Sequence, residues 1–501
     1  MTGRPNILFL FSDQHHAGHL GHTGRSPAKT PHLDRLAAEG TRFTNAVCNN
    51  PICTPSRVCF FSGQYCTNHG YYGLGGDWHP EGPRSLFAQL GRAGYRAINI
   101  GKSHLPGGWI EDTCDVFLDV VGTSEINNSS AYDDYLAAKG LAEKRDDRRV
   151  PEAGGRMTVD GRPSALAFED SVEAFIARET NRAISDAVEA GQPFFAVAGF
   201  PRPHQAFTPA REFWDLYPDA EDHLPASYGA DLSGKSPSLQ AMARHYEEPD
   251  WTVFEPRDPR AGAVRRLRGY LGLVTQTDAA IGRVLDHLDQ RGLTDNTIVV
   301  YSSDHGDFAA EFGLLEKAPG ISADAVCRIP FIWRWPGRIP AGQVADGVAE
   351  SVDFAPTVLG LTGIDPLPEA DGRNLAGTLT QAEPAPAHTG LTEFPLSRAL
   401  FDGRYRYIRY TTGFFPDYPD TAFEELYDLE TDPHELKNRA GDPGMAAHRD
   451  RFRQTLLDRL ADIRRVRTTL PPALLDTGPP TTPARRLLRR QQAQQSTDNY
   501  L

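Results

Sequence analysis

Asn6-Ile7-Leu8-Phe9-Leu10-Phe11-Ser12-Asp13 sets the class of fold. Its unbroken apolar run is too short for a helix and does not alternate, so it predicts a strand buried on both faces of a helix-covered sheet. The polar pair Asp13-Gln14 follows at the carboxyl end, where open α/β sheets bind their ligands. Further along the chain, similar runs occur at Tyr95 to Ile100, Phe194 to Ala198, Thr297 to Ser302 and Pro330 to Trp335. They alternate with helical patterns at Ser85 to Gly94 and Arg265 to Leu288, which predicts an α/β fold: a large, mostly parallel sheet flanked by helices.

Thr30-Pro31 opens a helical pattern that stops at Gly40, and Thr54-Pro55 opens another that ends near Gly63, with Thr as the expected N-cap and Pro at the first helical position. The Pro-, Gly- and Ala-rich stretch from Pro366 to Pro386 marks the domain boundary. We divide the chain into a large α/β domain (1–375), a small C-terminal α+β subdomain with an antiparallel sheet (376–470) and an extended tail (471–501). The sheet is expected from Arg404 to Tyr410 and Glu425 to Leu429, with Ala446 to Ile463 as its helix. The Pro-rich, basic tail is read as an arm for homo-oligomer contact.

Lys+Arg 52 against Asp+Glu 66 leaves a net charge of -14, which argues against nucleic acid or an anionic membrane as partner. No stretch approaches the length of a membrane span. Six cysteines in 501 residues, without paired metal spacing, fit free thiols in a reducing compartment, so the expected location is cytoplasmic.

The chemistry gathers behind the strands: Asp13-Gln14, Lys102-Ser103-His104, Pro203-His204 and Asp304-His305-Gly306-Asp307 each follow a strand-like run. Asp13 and Asp304, each beside another donor, suit one divalent cation, the oxygens favouring Ca²⁺, Mg²⁺ or Mn²⁺ and the histidine drawing the choice towards Mn²⁺. Either aspartate alone also reads as a helix N-cap. Cys53 stands just before the Thr54-Pro55 helix start, where backbone N–H groups and the helix dipole favour negative charge.

Cys53-x-Pro55-Ser56-Arg57 with Ser62-Gly63-Gln64-Tyr65 resembles the type I sulfatase signature, in which the cysteine is oxidised to formylglycine. Thr30-Pro31-His32-Leu33-Asp34-Arg35-Leu36, Gly101-Lys102-Ser103-His104, Pro203-His204, Ser303-Asp304-His305-Gly306-Asp307, Glu316-Lys317 and the C-terminal Glu425-Leu426-Tyr427-Asp428-Leu429 are similar to sulfatase motifs in the same order. The resemblance implies an alkaline-phosphatase-like fold and a sulfuric ester hydrolase. It also implies a cation, Ca²⁺ first with Mn²⁺ or Mg²⁺ as alternatives, held by Asp13, Gln14, residue 53, Asp304 and His305. Arg57 and Lys102 would steady the formylglycine diol, His104 would be the base that releases sulfate, and His204 and Lys317 would bind the sulfate oxygens. A formylglycine-generating enzyme is then an implied partner, and a small sulfated molecule the substrate.

Gln14 and His305 stand where Asp and Asn are frequent in arylsulfatases. The Asp-Gln with Asp-His pairing resembles choline sulfatases and phosphonate monoester hydrolases. A phosphonate monoester or phosphodiester hydrolase is therefore the alternative enzyme, and an inactive member that binds a sulfated ligand the non-enzyme alternative. The run His15, His16, His19 and His22 lacks a partner motif for zinc. His15, His69, Trp78 and His79 are the remaining candidate substrate contacts.

Overall fold

The computed structural model describes residues 4–74, 84–120, 130–145, 161–246, 258–314, 316–317, 321–394, 397–410 and 423–463. Its main sheet contains β1 (Asn6–Asp13), β2 (Thr41–Val47), β3 (Arg96–Gly101), β4 (Val116–Asp119), β5 (Phe194–Pro203), β6 (Thr297–Ser303), β7 (Phe331–Arg334) and β8 (Gln343–Glu350). Their order is β4-β3-β5-β1-β6-β7-β2-β8. β7 runs antiparallel to both β6 and β2, while the other pairings are parallel. This is the mostly parallel sheet that the apolar runs predict.

β1 lies at the centre and is buried throughout. Alternation along it feeds two cores. Ile7, Phe9 and Phe11 meet the layer containing Phe60, Phe61 and Phe354, whereas Leu8 and Leu10 meet Leu33, Leu36, Ile176 and Ile281. Phe9 stacks on Phe354 with ring centroids 4.2 Å apart. Both faces of β1 are thus covered, which is why its sequence shows no polar alternation.

Helix α1 (Pro31–Ala38) starts at the first Thr-Pro signal. Helix α2 (Cys53–Ser62) starts one residue before the second, with Ile52 at the cap and Cys53, Thr54 and Pro55 in the first turn, so Thr54 is not its N-cap. The first cap differs from expectation. The Thr30 hydroxyl donates to Asp34 Oδ1 at 3.0 Å, and the free N–H groups of His32 and Leu33 go to Asp278, at 3.2 and 2.8 Å. Asp278 belongs to the long helix Pro259–Gln290, so a tertiary carboxylate replaces the local cap. Gly63 closes α2 at φ 69°, in the left-handed region that favours glycine.

The second sheet, β12-β11-β10-β9, is wholly antiparallel: β9 (Gly390–Phe394), β10 (Ser397–Phe401), β11 (Tyr405–Tyr410) and β12 (Glu424–Asp428). The helix Ala446–Ile463 covers it, with Phe452 stacked on Tyr407 at 5.9 Å. The tail assigned to oligomer contact lies outside the described residues, and no helix among those described is long and apolar enough to cross a membrane.

Candidate active site

β1 and β6 are neighbours in register, Ser12 opposite Ser303, so their carboxyl ends deliver Asp13 and Asp304 side by side. α2 brings Cys53 to them in its first turn. Donor atoms of Asp13, Cys53, Asp304 and His305 all lie within 4.8 Å of one another, and all four residues are buried. Cys53 Sγ is 3.3 Å from His305 Nε2 and 3.9 Å from Asp13 Oδ1. His305 directs Nδ1–H to the carbonyl of Gly306 at 2.9 Å, so the Nε2 lone pair faces the cluster.

One helical turn after Cys53, Arg57 closes the cluster from below. Its Nε donates to Asp304 Oδ2 at 2.9 Å, Nη2 to Asp13 Oδ2 at 3.1 Å and Nη1 to the Lys102 carbonyl at 2.8 Å. The guanidinium also lies over Phe11, 4.6 Å from the ring centroid. Lys102, at the end of β3, places Nζ 2.5 Å from Asp13 Oδ2 and 3.8 Å from Cys53 Sγ. Backbone supports complete the frame: Gln14 N–H donates to Asp304 Oδ1 at 3.0 Å, and Ser56 Oγ donates to the Asp304 carbonyl at 2.5 Å.

The charges are shared unequally. Burial raises the Asp13 carboxyl, but Lys102, His204, Arg57 and Lys317 together hold it well below the usual range. Asp304 is pushed up by burial and by Asp13, against the pull of His305 and Arg57. Burial and Asp13 oppose ionisation of the Cys53 thiol, yet Lys102, Lys317 and His305 bring it well below an ordinary thiol. Residue 53 therefore sits where an anionic oxygen or sulfur is favoured. Two carboxylates and one imidazole aimed at a common point are the donor set of a divalent cation, whose charge would keep both carboxylates ionised.

Around this cluster lie the other expected residues. Lys317 Nζ donates to Gln14 Oε1 at 2.8 Å, and Gln14 Nε2 donates to Asp307 Oδ2 at 2.5 Å and to Gln205 Oε1 at 3.1 Å. Gln14 thus touches the cluster through its backbone N–H and accepts from Lys317 through its side-chain oxygen. His204 donates Nδ1–H to the Gln205 carbonyl at 2.9 Å, and burial with Lys317 and Lys102 nearby lowers its imidazole well below the ordinary value. His104 follows Lys102 by two residues at φ 49°, with Nδ1 buried and unbonded among the described residues.

The structure places two candidate substrate contacts elsewhere. His15 is fully buried, with Nδ1 on the Tyr301 hydroxyl and Nε2 on the His19 carbonyl at 3.0 Å, and burial brings its pKa down to about 4. His69 packs behind α2, Nε2 3.3 Å from Cys59 Sγ. Both rings are taken up by packing because the chain turns inward at these points. Trp78 and His79 lie outside the described residues. Sequence reasoning assigned no task to Gln205 or Ser56 and only a motif place to Asp307; their partners lie too far along the chain for spacing to pair them.

The description "Sulfatase" attaches to a family model that matches residues 5–364. The chain belongs to the sulfatase family. It is an enzyme of that class, and a second model, N-sulphoglucosamine sulphohydrolase C-terminal, matches residues 311–462. Among relatives, this sulfatase is 31% identical to the multifunctional alkaline phosphatase superfamily protein PehA of Trinickia caryophylli, over 93% of this chain and 97% of that one. It is 27% identical to the choline-sulfatase of Rhizobium meliloti, over 88% and 83%. The phosphonate monoester hydrolase of Agrobacterium radiobacter superposes with a TM-score of 0.75, at 22% identity and covering 92% of this chain and 96% of that one, which establishes the shared fold.

Proposed function

We propose that this enzyme hydrolyses a small sulfate ester to an alcohol and inorganic sulfate, with residue 53 converted to formylglycine by a maturation enzyme. The observation that carries the proposal is the convergence of Cys53 with Asp13, Asp304 and His305 within 4.8 Å, under the clamp of Arg57 and Lys102. Asp13, Gln14, Asp304, His305 and residue 53 would hold a divalent cation, Ca²⁺ first with Mn²⁺ or Mg²⁺ as alternatives. The bound cation would lower the pKa of a hydroxyl on residue 53 and neutralise the carboxylates. The hydrated aldehyde supplies one hydroxyl to attack sulfur as the alcohol leaves, and a second whose deprotonation releases sulfate and restores the aldehyde.

The side chains have matching tasks. Arg57 and Lys102 fix Asp13 and Asp304 and place positive charge beside residue 53. Lys317 and His204 receive the sulfuryl oxygens. Burial, with the Lys317 and Lys102 charges beside it, depresses the His204 imidazole, and an arriving anion offsets the part that those charges contribute. His104, with a buried nitrogen unbonded among the described residues, is the base for sulfate release.

The free thiols at all six cysteines support a cytoplasmic enzyme. A phosphonate monoester or phosphodiester hydrolase is the second reading, supported by the Gln14 and His305 pattern. Paired assays of formylglycine-bearing enzyme on nitrophenyl sulfate and a nitrophenyl phosphonate ester separate the two. The first reading requires a higher kcat/KM for the sulfate, and a marked preference for the phosphonate would replace it with the second.

A further inference from the structure

His204 stands on the loop that leaves β5, and the main sheet sets where that loop begins. Pro203, the last residue of β5, lies opposite Asp13 in the register of β1 and β5. The buried imidazole is within reach of the charges of Lys317, Lys102 and Asp13, which all act on it. Past the strand end, its aim depends on what holds the backbone of the loop. Arg202 holds it: Nη1 donates to the His204 carbonyl at 2.6 Å, across Pro203, which has no N–H of its own to offer.

The guanidinium is 3% exposed and takes its countercharge from another element. Arg202 Nε lies 3.6 Å from Glu173 Oε1. Glu173 sits in the first turn of the helix Val172–Glu189, where an acidic side chain ordinarily answers the helix dipole from solvent; here it is 1% exposed. Its Oε2 accepts from Gln276 Nε2 at 2.8 Å, and Gln276 Oε1 accepts from the Ala210 N–H at 2.7 Å. One carboxylate thus governs both ends of the loop, through Arg202 the carbonyl of residue 204 and through Gln276 the amide of residue 210.

We propose that Arg202 and Glu173 form a positioning pair that aims His204 at the tetrahedral anion. The pair rests on the sulfatase reading only for which anion that is; a phosphoryl group asks the same of the imidazole. Arg202 acts as a fork, with Nη1 on the carbonyl while Nε faces the carboxylate, and a lysine ammonium, a single point of charge, does not reproduce it. Glu173→Gln keeps an acceptor for Gln276 but removes the charge that faces Arg202 and sets an NH₂ against the guanidinium.

The test is a double-mutant cycle with His204 on formylglycine-bearing enzyme. It is read as kcat/KM on nitrophenyl sulfate and a nitrophenyl phosphonate ester, and independently as calorimetric binding of inorganic sulfate and of inorganic phosphate. Arg202→Lys and Glu173→Gln are each expected to lower kcat/KM about tenfold on the ester the wild type prefers, within what a misplacement of about 1 Å produces, and to weaken binding of the matching anion. In a His204→Ala background the same substitutions are expected to change either readout by less than about twofold, because the group they aim is gone. Glu173→Gln, which keeps the size of the side chain, carries the cycle by itself if Arg202→Lys does not fold.

Equal losses with and without the His204 imidazole would overturn the proposal, by showing that the pair serves only the general packing of the loop. Wild-type kcat/KM and anion binding in either folded single variant would overturn it too. Losses that vanish with His204→Ala, in a wild type that prefers the phosphonate ester, would defeat the sulfatase reading and leave the pair standing.

Discussion

Arg57 carries more of the site than any other single side chain, because it is the buried cation common to both carboxylates. Removing one partner of a buried ion network strands the others at about 3–5 kcal/mol. Arg57→Gln is therefore expected to lower the unfolding free energy by that order in urea titrations with a chelator present. Added divalent cation is expected to restore part of the loss, since it supplies charge to the same two carboxylates; no restoration would argue against a cation between them. Cys53, Arg57, Asp13, Asp304 and His305 were legible in the sequence, since each stands in a local motif beside a strand or helix end. Asp307 with Gln14, and Asp278 with α1, were not legible as pairs. Their partners are more than two hundred residues away, and only the packed sheet brings them together. The dense histidines misled for the same reason: nothing local says that His15 turns into the core while its neighbour His16 reaches Glu311 at 3.8 Å.

Among elements, the join of β3 and β5 places Lys102. Gly101 ends β3 at φ 106°, and a Cβ there would stand 2.0 Å from the Gly199 carbonyl oxygen. Lys102 N–H donates to that same oxygen at 2.7 Å. Gly101→Ala must therefore move backbone, at a cost of about 1–3 kcal/mol, and shift the Lys102 ammonium from Asp13. The expected result is a lower melting temperature together with a fall in kcat larger than any change in KM. An equal loss from Ala at Gly94, where no atom lies within 4 Å of the added Cβ, would show that general backbone strain and not this contact is responsible. Strands covered on both faces, β1, β5 and β6, were readable as apolar runs. β2, β4 and β8 were not: β8, Gln343–Glu350, is an edge strand with alternating exposure and polar residues, which reads as loop until its neighbour is known.

Across the whole molecule, Glu350 ties the two sheets together from the end of β8. It accepts from Asn49 Nδ2 at 2.8 Å, Leu391 N–H at 2.7 Å and the Tyr65 hydroxyl at 2.7 Å, and pairs with His388 and with Arg459 of the C-terminal helix. Burial raises this carboxyl, but His388, Arg459 and the Leu391 N–H outweigh it and hold it below the ordinary 4.5. A lowered carboxyl pKa in the folded state stabilises above the unfolded value and loses that contribution as pH falls through the folded value. Glu350→Gln is thus expected to be less stable by about 3–5 kcal/mol at pH 7 and to show a flatter decline of stability below 4.5 than the wild type, read from denaturant midpoints across pH. An unchanged midpoint at neutral pH would refute this role. The small sheet itself was legible in the alternation of Arg404 to Tyr410, and its attachment through a buried ion network was not, because that depends on which side chains the fold brings to one face.

Whether residue 53 is the nucleophile of a sulfatase is decided by mass spectrometry of the tryptic peptide Phe43 to Arg57 from protein co-expressed with a formylglycine-generating enzyme. Fragmentation separates Cys53 from Cys48 in the same peptide. The aldehyde or its hydrate is expected at 53, with an unmodified thiol at 48. An unmodified thiol at 53, with an active maturation enzyme present, would contradict the nucleophile assignment and with it the sulfatase mechanism.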